Sequence, residues 1–81
     1  MNINLIQGSY TTSEAIDLLH KLVNVKIKFH EDKINQSSNE EDIKMREHRI
    51  KALQHDLATV RHKIRTGQGK IEIKSIIDIQ A

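Results

Sequence analysis

A seven-residue apolar repeat in the second half of the chain constrains the fold more than any other feature of the sequence. Apolar residues recur there at steps of three and four positions, which keeps one face of an α-helix apolar. Such a face is buried against another helix, so the repeat predicts a helix from about residue 39 to 66. The residues of the repeat are Ile43, Ile50, Leu53, Leu57, Val60 and Ile64.

A second amphipathic helix is predicted ahead of it, from about residue 12 to 36. Thr11 followed by Glu14 has the spacing of a capping box at its start, and Ser13 is the alternative cap. Its apolar residues cover a wider arc than one neighbouring helix can bury, so we expect this helix to be covered from two directions. One ridge of that arc, which completes the predicted core and dimer seam, consists of Leu18, Leu22, Val25 and Phe29.

The ends of the second helix carry their own signals. Polar residues 35–39 predict the connection between the helices, and Ser38 followed by Glu41 repeats the capping-box spacing. Gly67 is expected to be the glycine cap at the C-terminal end. The apolar period changes from seven to two after the break at residues 67–69.

Short β-strands are predicted at both ends of the chain, at about residues 2–7 and 70–80. Gly8 is expected to end the first strand in a turn, and Ile71, Ile73 and Ile77 lie on one side of the second. Two antiparallel helices of similar length bring the strands together. We therefore predict one mainly α domain over residues 1–81, a long antiparallel helical hairpin with terminal strands in the order β-α-α-β.

The small size of the chain favours association. It has 81 residues, 2% aromatic side chains and no cysteine, so the core is small and has no disulfide or zinc staple. We therefore expect a homodimer in which two hairpins form a four-helix bundle. No apolar run approaches the roughly 20 residues of a membrane span, and the N-terminus lacks the pattern of a secretory signal. A cytoplasmic location is predicted.

One group of polar residues falls within the apolar arc of the first helix. His30 lies there with Lys26 and Lys33 close to the same direction. The three side chains could line the cleft of a ligand-binding or enzymatic bundle. In the alternative interpretation, the lysine stems pack along apolar surface and His30 forms a hydrogen bond at an interface or near the hairpin tip.

A charged residue also occupies a seam position of the second helix. Arg46 stands where an apolar residue is expected, and a charge at such a position often pairs with an acid across the interface. Glu31 and Asp32, near the end of the first helix, are the predicted intrachain partners. The role expected for Arg46 is structural.

The sequence offers no constellation for catalysis or for metal binding. His48, His55 and His62 recur every seven residues, which separates them by about 10 Å along a helix, too far to share one ion. There is no cysteine, and the serines fall in caps, the hairpin loop and the last strand, so no nucleophile and base are paired. No enzyme activity, metal site or cofactor is predicted.

The best candidate for an external contact is the basic end of the second helix, which bears four cations and one histidine and no acid. An anionic partner could be a nucleic acid or an acidic protein. No aromatic residue is interleaved with the cations and no nucleic-acid-binding motif is present. We therefore predict a homodimeric protein-interaction or adaptor module with an unidentified protein partner, with nucleic-acid association as the alternative. The basic end consists of Arg61, His62, Lys63, Arg65 and Lys70.

Overall fold

A computed structural model describes residues 1–67 and 69–81. The elements follow one another as β1 (Asn2–Tyr10), α1 (Thr12–Gln36), α2 (Glu40–Thr66) and β2 (Ile71–Asp78). The predicted β-α-α-β order and the mainly helical character are confirmed. Gln68, which falls in the predicted break between α2 and β2, lies outside the described residues.

α1 begins as its sequence predicts. The Thr11 hydroxyl accepts a hydrogen bond from the Glu14 N–H at 3.2 Å, and the Glu14 carboxylate accepts one from the Thr11 N–H at 2.9 Å. Both halves of the capping box are therefore formed. A side-chain cap of this kind contributes about 0.5–2 kcal/mol because it satisfies backbone donors that have no partner within the helix.

The N-cap of α2 lies one residue later than predicted. Asn39 is the N-cap, and its side-chain oxygen accepts from the N–H groups of Glu41 and Asp42 at 2.9 and 3.1 Å. The prediction that Ser38 caps this helix is wrong. The amide oxygen of Asn39 reaches two backbone donors at once, while the Asn39 N–H donates to the Ser37 hydroxyl at 3.2 Å and fixes the turn ahead of the helix.

Gly67 ends α2 without the left-handed conformation expected of a glycine cap. Its φ is −83°, and its N–H donates to the carbonyls of Lys63 and Ile64 at 3.1 and 3.3 Å. The last turn is closed by these two bonds, so no left-handed residue is needed at that position. Gly69 has a φ of +88°, a conformation that glycine adopts without steric cost.

β1 and β2 pair as an antiparallel ribbon, from Asn2 opposite Asp78 to Tyr10 opposite Ile71. The predicted turn at Gly8 is wrong, because β1 continues through Gly8, which pairs with Ile73. The Tyr10 side chain lies over Gly8: a Cβ placed there would be 3.5 Å from the phenol oxygen. That distance is ordinary van der Waals contact, so the Tyr10 ring packs over Gly8 without requiring a glycine at this position.

The ribbon contains one irregularity, between Asn4 and Ile6, where Leu5 is the extra residue on β1. Successive strand residues point to opposite faces, so Ile3 and Ile6 would lie on opposite faces of a regular strand. The inserted residue restores them to one face, on which Ile3 pairs with Ile77 and Ile6 pairs with Ser75. Ile6 is buried, whereas Leu5 is 47% exposed.

The buried apolar residues belong to the ribbon and to the half of the helical hairpin next to it. They are Ile6, Ala15, Leu57 and Ile64, none more than 9% exposed. The half next to the 37–39 loop has one buried side chain among the described residues, and it is polar: His30 is 5% exposed.

The molecule is a flat layer that measures 47 × 32 × 13 Å. Its thinnest dimension is little more than one helix diameter of about 10–12 Å. The radius of gyration is 15.2 Å, against about 12 Å for a compact domain of this length. Because the two helices lie side by side in a single layer, the described residues place no second layer on either broad face of the hairpin.

Candidate functional site

The buried imidazole of His30 is held by a polar contact between the two helices. Its Nδ1 lies 3.2 Å from Nη1 of Arg46, whose Nε donates to an Asp42 carboxylate oxygen at 3.3 Å. A guanidinium has only donors, so Nδ1 of the neutral ring is the acceptor and the ring hydrogen resides on Nε2. Arg46 therefore connects α1 to α2 and sets the imidazole tautomer.

The structure corrects the predicted partner of Arg46. Its carboxylate partner is Asp42, one turn earlier on α2, and not Glu31 or Asp32. Those two residues follow His30 by one and two positions, so the helix turns them about 100° and 200° away from the side that His30 occupies. Asp32 pairs with Lys28 on the outer surface of α1, at 3.6 Å.

The two lysines predicted to accompany His30 both reach the neighbouring aromatic ring. The ammonium groups of Lys26 and Lys33 lie 5.0 and 5.7 Å from the centroid of Phe29. The Phe29 and His30 rings meet edge to face, with centroids 6.1 Å apart. Cation–π contacts of this kind contribute about 0.5–1 kcal/mol at exposed sites.

A pocket of about 200 Å³ opens between the helices beside His30. Lys26 lines this pocket together with His30, whereas Lys33 does not. Arg49 also lines the pocket, and the sequence analysis missed it. Its position three residues after Arg46 and four before Leu53 places it on the same helix face as those residues, which could have identified it. The residues that line the pocket are Lys26, His30, Arg49, Ala52, Leu53 and Asp56.

Burial is the main cause that lowers the pKa of His30 below its ordinary value of 6.5. The positive charges of Lys26, Arg46 and Arg49 lower this pKa further. Both effects disfavour the imidazolium, because one removes water from the charge and the other repels it. The imidazole is therefore neutral at pH 7, in agreement with the donor that Arg46 directs at Nδ1.

The predicted basic end is accessible over most of its length. His62, Lys63, Arg65 and Lys70 are exposed. Arg61 is half-buried, and its buried Nε has no hydrogen-bond acceptor within residues 1–67 and 69–81.

The charge of Lys70 also acts on the first turn of α1. The pKa of Glu14 is lowered chiefly by its hydrogen bonds with Thr11 and, to a smaller extent, by Lys70. One acid of α1 thus stands close to the basic end in space, although none occurs within that segment of the sequence.

The predicted seam divides into a closed part and an open part in the single chain. Leu57 and Ile64 are buried, and Leu18, Leu22, Ile43, Ile50 and Leu53 are half-buried. Val25, Phe29 and Val60 are 72%, 48% and 37% exposed. α2 therefore covers only part of the apolar arc of α1.

Among the described residues, no group of three or more His, Asp or Glu side chains is placed to hold a metal ion. Neither of the two helices combines the length and the apolar character that a membrane crossing requires. No family model, curated protein or solved structure matches the chain.

Proposed function

We propose that this protein is a non-catalytic protein-interaction module that works as a homodimer, with the cytoplasm as its expected compartment. The observation that carries the proposal is the open apolar ridge of α1. Val25 lies in the middle of this long helix and is 72% exposed, and Phe29, one turn further on, is 48% exposed. An apolar ridge of this kind on a one-layer molecule is typical of a helix that packs on a partner.

The exposed area supports a second copy of the chain as the occupant. The chain exposes 6453 Å². A compact folded protein of the same mass exposes about 5,000 Å². The difference, about 1,400 Å², exceeds the roughly 800 Å² that each partner contributes to a standard protein–protein interface. A second copy would cover the ridge without requiring a further protein.

Packing of ridge on ridge would give a four-helix bundle. Leu18, Leu22, Val25 and Phe29 recur at steps of four and three, as in helices that pack nearly antiparallel. Val60 of α2 adds to the apolar surface, since it lines a shallow apolar cavity of about 80 Å³ with Leu19 and Val23. The ends of the bundle, including the basic end, would remain available to another protein.

The mass in solution tests this proposal. Light scattering at micromolar concentration is expected to give twice the 9.4 kDa mass of the chain. Val25→Glu places a charge in the ridge and should give a monomer, because an unpaired charge at an interface core is costly. Asn24→Glu introduces the same charge one position away, at an exposed position outside the ridge, and should leave the dimer intact.

Two results would contradict the homodimer. One is a cooperatively folded wild-type monomer at the same concentration. The other is equal dissociation of both variants, which would mean that net charge and not the ridge controls association.

A nucleic-acid-associated protein is the second candidate, and the accessibility of the basic end favours it. Among the described residues, Lys63, Arg65 and Lys70 take part in no ion pair within 4.0 Å. Retention of duplex DNA or single-stranded RNA should then fall steeply with salt, because each neutralised phosphate releases counterions. Lys63→Gln with Arg65→Gln should abolish retention. Absence of retention at low salt would exclude this candidate and leave the interaction module.

A further inference from the structure

The pocket beside His30 holds more positive than negative charge. Lys26 enters it from α1 and Arg49 from α2, while Asp56 is the acid among the described residues that line it. Within residues 1–67 and 69–81, neither Lys26 nor Arg49 forms an ion pair. Two cations and one carboxylate leave the lining of the pocket with a net positive charge among the described residues.

The imidazole adds a hydrogen-bond donor that is fixed in direction. Arg46 occupies Nδ1, so Nε2 carries the ring hydrogen. In the described part of the chain, Nε2 has no protein acceptor and is not one of the fully buried unpartnered atoms. Nε2 therefore keeps some access to solvent, and His30 lines the pocket. The ring is buried and hydrogen-bonded to Arg46, so it is a preorganised donor: its side chain loses little conformational freedom when a ligand binds.

We propose that Lys26, His30 and Arg49 form a binding site for an oxyanion, either a phosphate group or a carboxylate. The guanidinium offers parallel N–H donors that match two oxygens of such a group, the ammonium supplies a point charge, and the imidazole Nε2–H supplies a third donor. The site goes beyond the proposed dimer and does not depend on it, because one chain provides all three groups.

Titration of the protein with inorganic phosphate and, separately, with acetate tests the site. The imidazole nitrogens are followed by NMR at constant pH and ionic strength. The Nε2 signal of His30 should move with a saturable dependence on millimolar anion, because a charge-assisted hydrogen bond forms there. The other four histidines are internal controls and should not follow the same curve; they are His20, His48, His55 and His62.

Two variants and a matched control assign the effect to the pocket. Lys26→Gln and Arg49→Gln should each weaken binding by about tenfold or more, as expected for the loss of one charged contact. Lys44→Gln removes the same charge from an exposed position of α2 that does not line the pocket, and should leave the affinity unchanged. All three positions are exposed, and circular dichroism checks that each variant keeps its helices.

The outcomes separate the alternatives. Tighter binding of phosphate would identify a phosphate-bearing ligand, and tighter binding of acetate a carboxylate; either supports the site. An absence of saturable change at His30, parallel shifts of all five histidines, or equal weakening by Lys44→Gln would overturn it. A monomeric protein that binds phosphate would support this site while contradicting the proposed dimer.

Discussion

The two halves of the helical hairpin are held together by different chemistry. The half next to the ribbon buries apolar side chains, with Ala15 fully buried and Leu57 and Ile64 nearly so. The half next to the loop buries His30, which is joined to Arg46 across the helices. Apolar burial is non-directional and tolerates small shifts, whereas a hydrogen bond between buried groups requires one geometry.

This difference predicts that the two halves make different contributions, one to stability and the other to the alignment of the helices. Apolar contacts near the ribbon would supply most of the stability, because a buried aliphatic side chain contributes about 1.5–3 kcal/mol. The His30–Arg46 contact would contribute less to stability and would fix how α1 and α2 are aligned, as buried polar pairs do in some helical proteins.

The largest effect is expected at the apolar half. Leu57→Asp should unfold the protein, because it buries a carboxylate with no partner at a cost of several kcal/mol. Domains of this size have only about 4–12 kcal/mol of stability in total. Loss of the helical circular-dichroism signal at 25 °C is the measurement.

His55→Asp is the matched control for this prediction. It introduces the same side chain two residues away, at an exposed position on the outer face of α2. Its melting temperature should stay within a few degrees of the wild-type value. Equal damage by both substitutions would mean that the apolar half is not the source of stability.

The heptad repeat located a helix correctly, whereas the cap of α2 and the turn at Gly8 were predicted wrongly, and both results have one physical explanation. Periodicity locates helices and strands because burial acts on whole faces, and the Thr11–Glu14 box marks a start because its two bonds are local. Ser38 and Asn39 are adjacent candidates for one cap, and the choice between them depends on turn geometry that the sequence does not display. The continuation of β1 through Gly8 likewise depends on its pairing with Ile73, a long-range contact that the sequence does not display.

The candidate site was harder to predict than the fold. His30 and Lys26 could be chosen because they interrupt an apolar arc, but Lys33 does not line the pocket and Arg49 was missed. Which side chains meet across two helices depends on the rotation of each helix about its axis. A shift of one residue changes that rotation by about 100°, so the partner of Arg46 could not be read from spacing.

The second largest effect is expected at the polar half. Arg46→Met removes the donor to His30 and should destabilise the protein by about 1–3 kcal/mol, since a buried acceptor is left without a partner. His30→Leu in the same chain should recover much of this loss, because the double variant leaves no buried imidazole to satisfy. Denaturation by urea, at one protein concentration for all variants, measures each free energy of unfolding.

The double-mutant cycle tests the comparison directly. A coupling free energy near zero between positions 30 and 46 would mean that the contact between the helices does not stabilise the fold. Asp17→Asn is the control, because it removes the exposed pair with Lys21 on the outer surface of α1. Exposed ion pairs of this kind contribute about 0–1 kcal/mol.

A smaller effect, about 0.5–2 kcal/mol, is expected at the start of α2, where the corrected cap can be tested. Asn39→Ala removes the acceptor for the N–H groups of Glu41 and Asp42 and should lower the melting temperature by several degrees. Ser38→Ala should change it little, because the Ser38 side chain caps nothing. A larger loss from Ser38→Ala than from Asn39→Ala would reverse the assignment of the cap.

The smallest effect is expected in the dependence of stability on pH, and it belongs to the polar half alone. The pKa of His30 in the folded protein lies below 6.5, through burial first and then through Lys26, Arg46 and Arg49. The unfolded chain therefore binds a proton at a higher pH than the folded chain does. By linkage, the contribution of His30 to the free energy of unfolding is complete above its ordinary pKa and is lost as the pH falls through that value towards the folded pKa.

Melting temperatures measured between about pH 7.5 and 5.5 test this contribution. They should fall with pH in the wild type, and His30→Gln should flatten this dependence. His55→Gln, an exposed control, should keep the wild-type slope. An unchanged slope in His30→Gln would mean that other groups control the loss of stability at low pH, and that His30 carries no proton-linked stability.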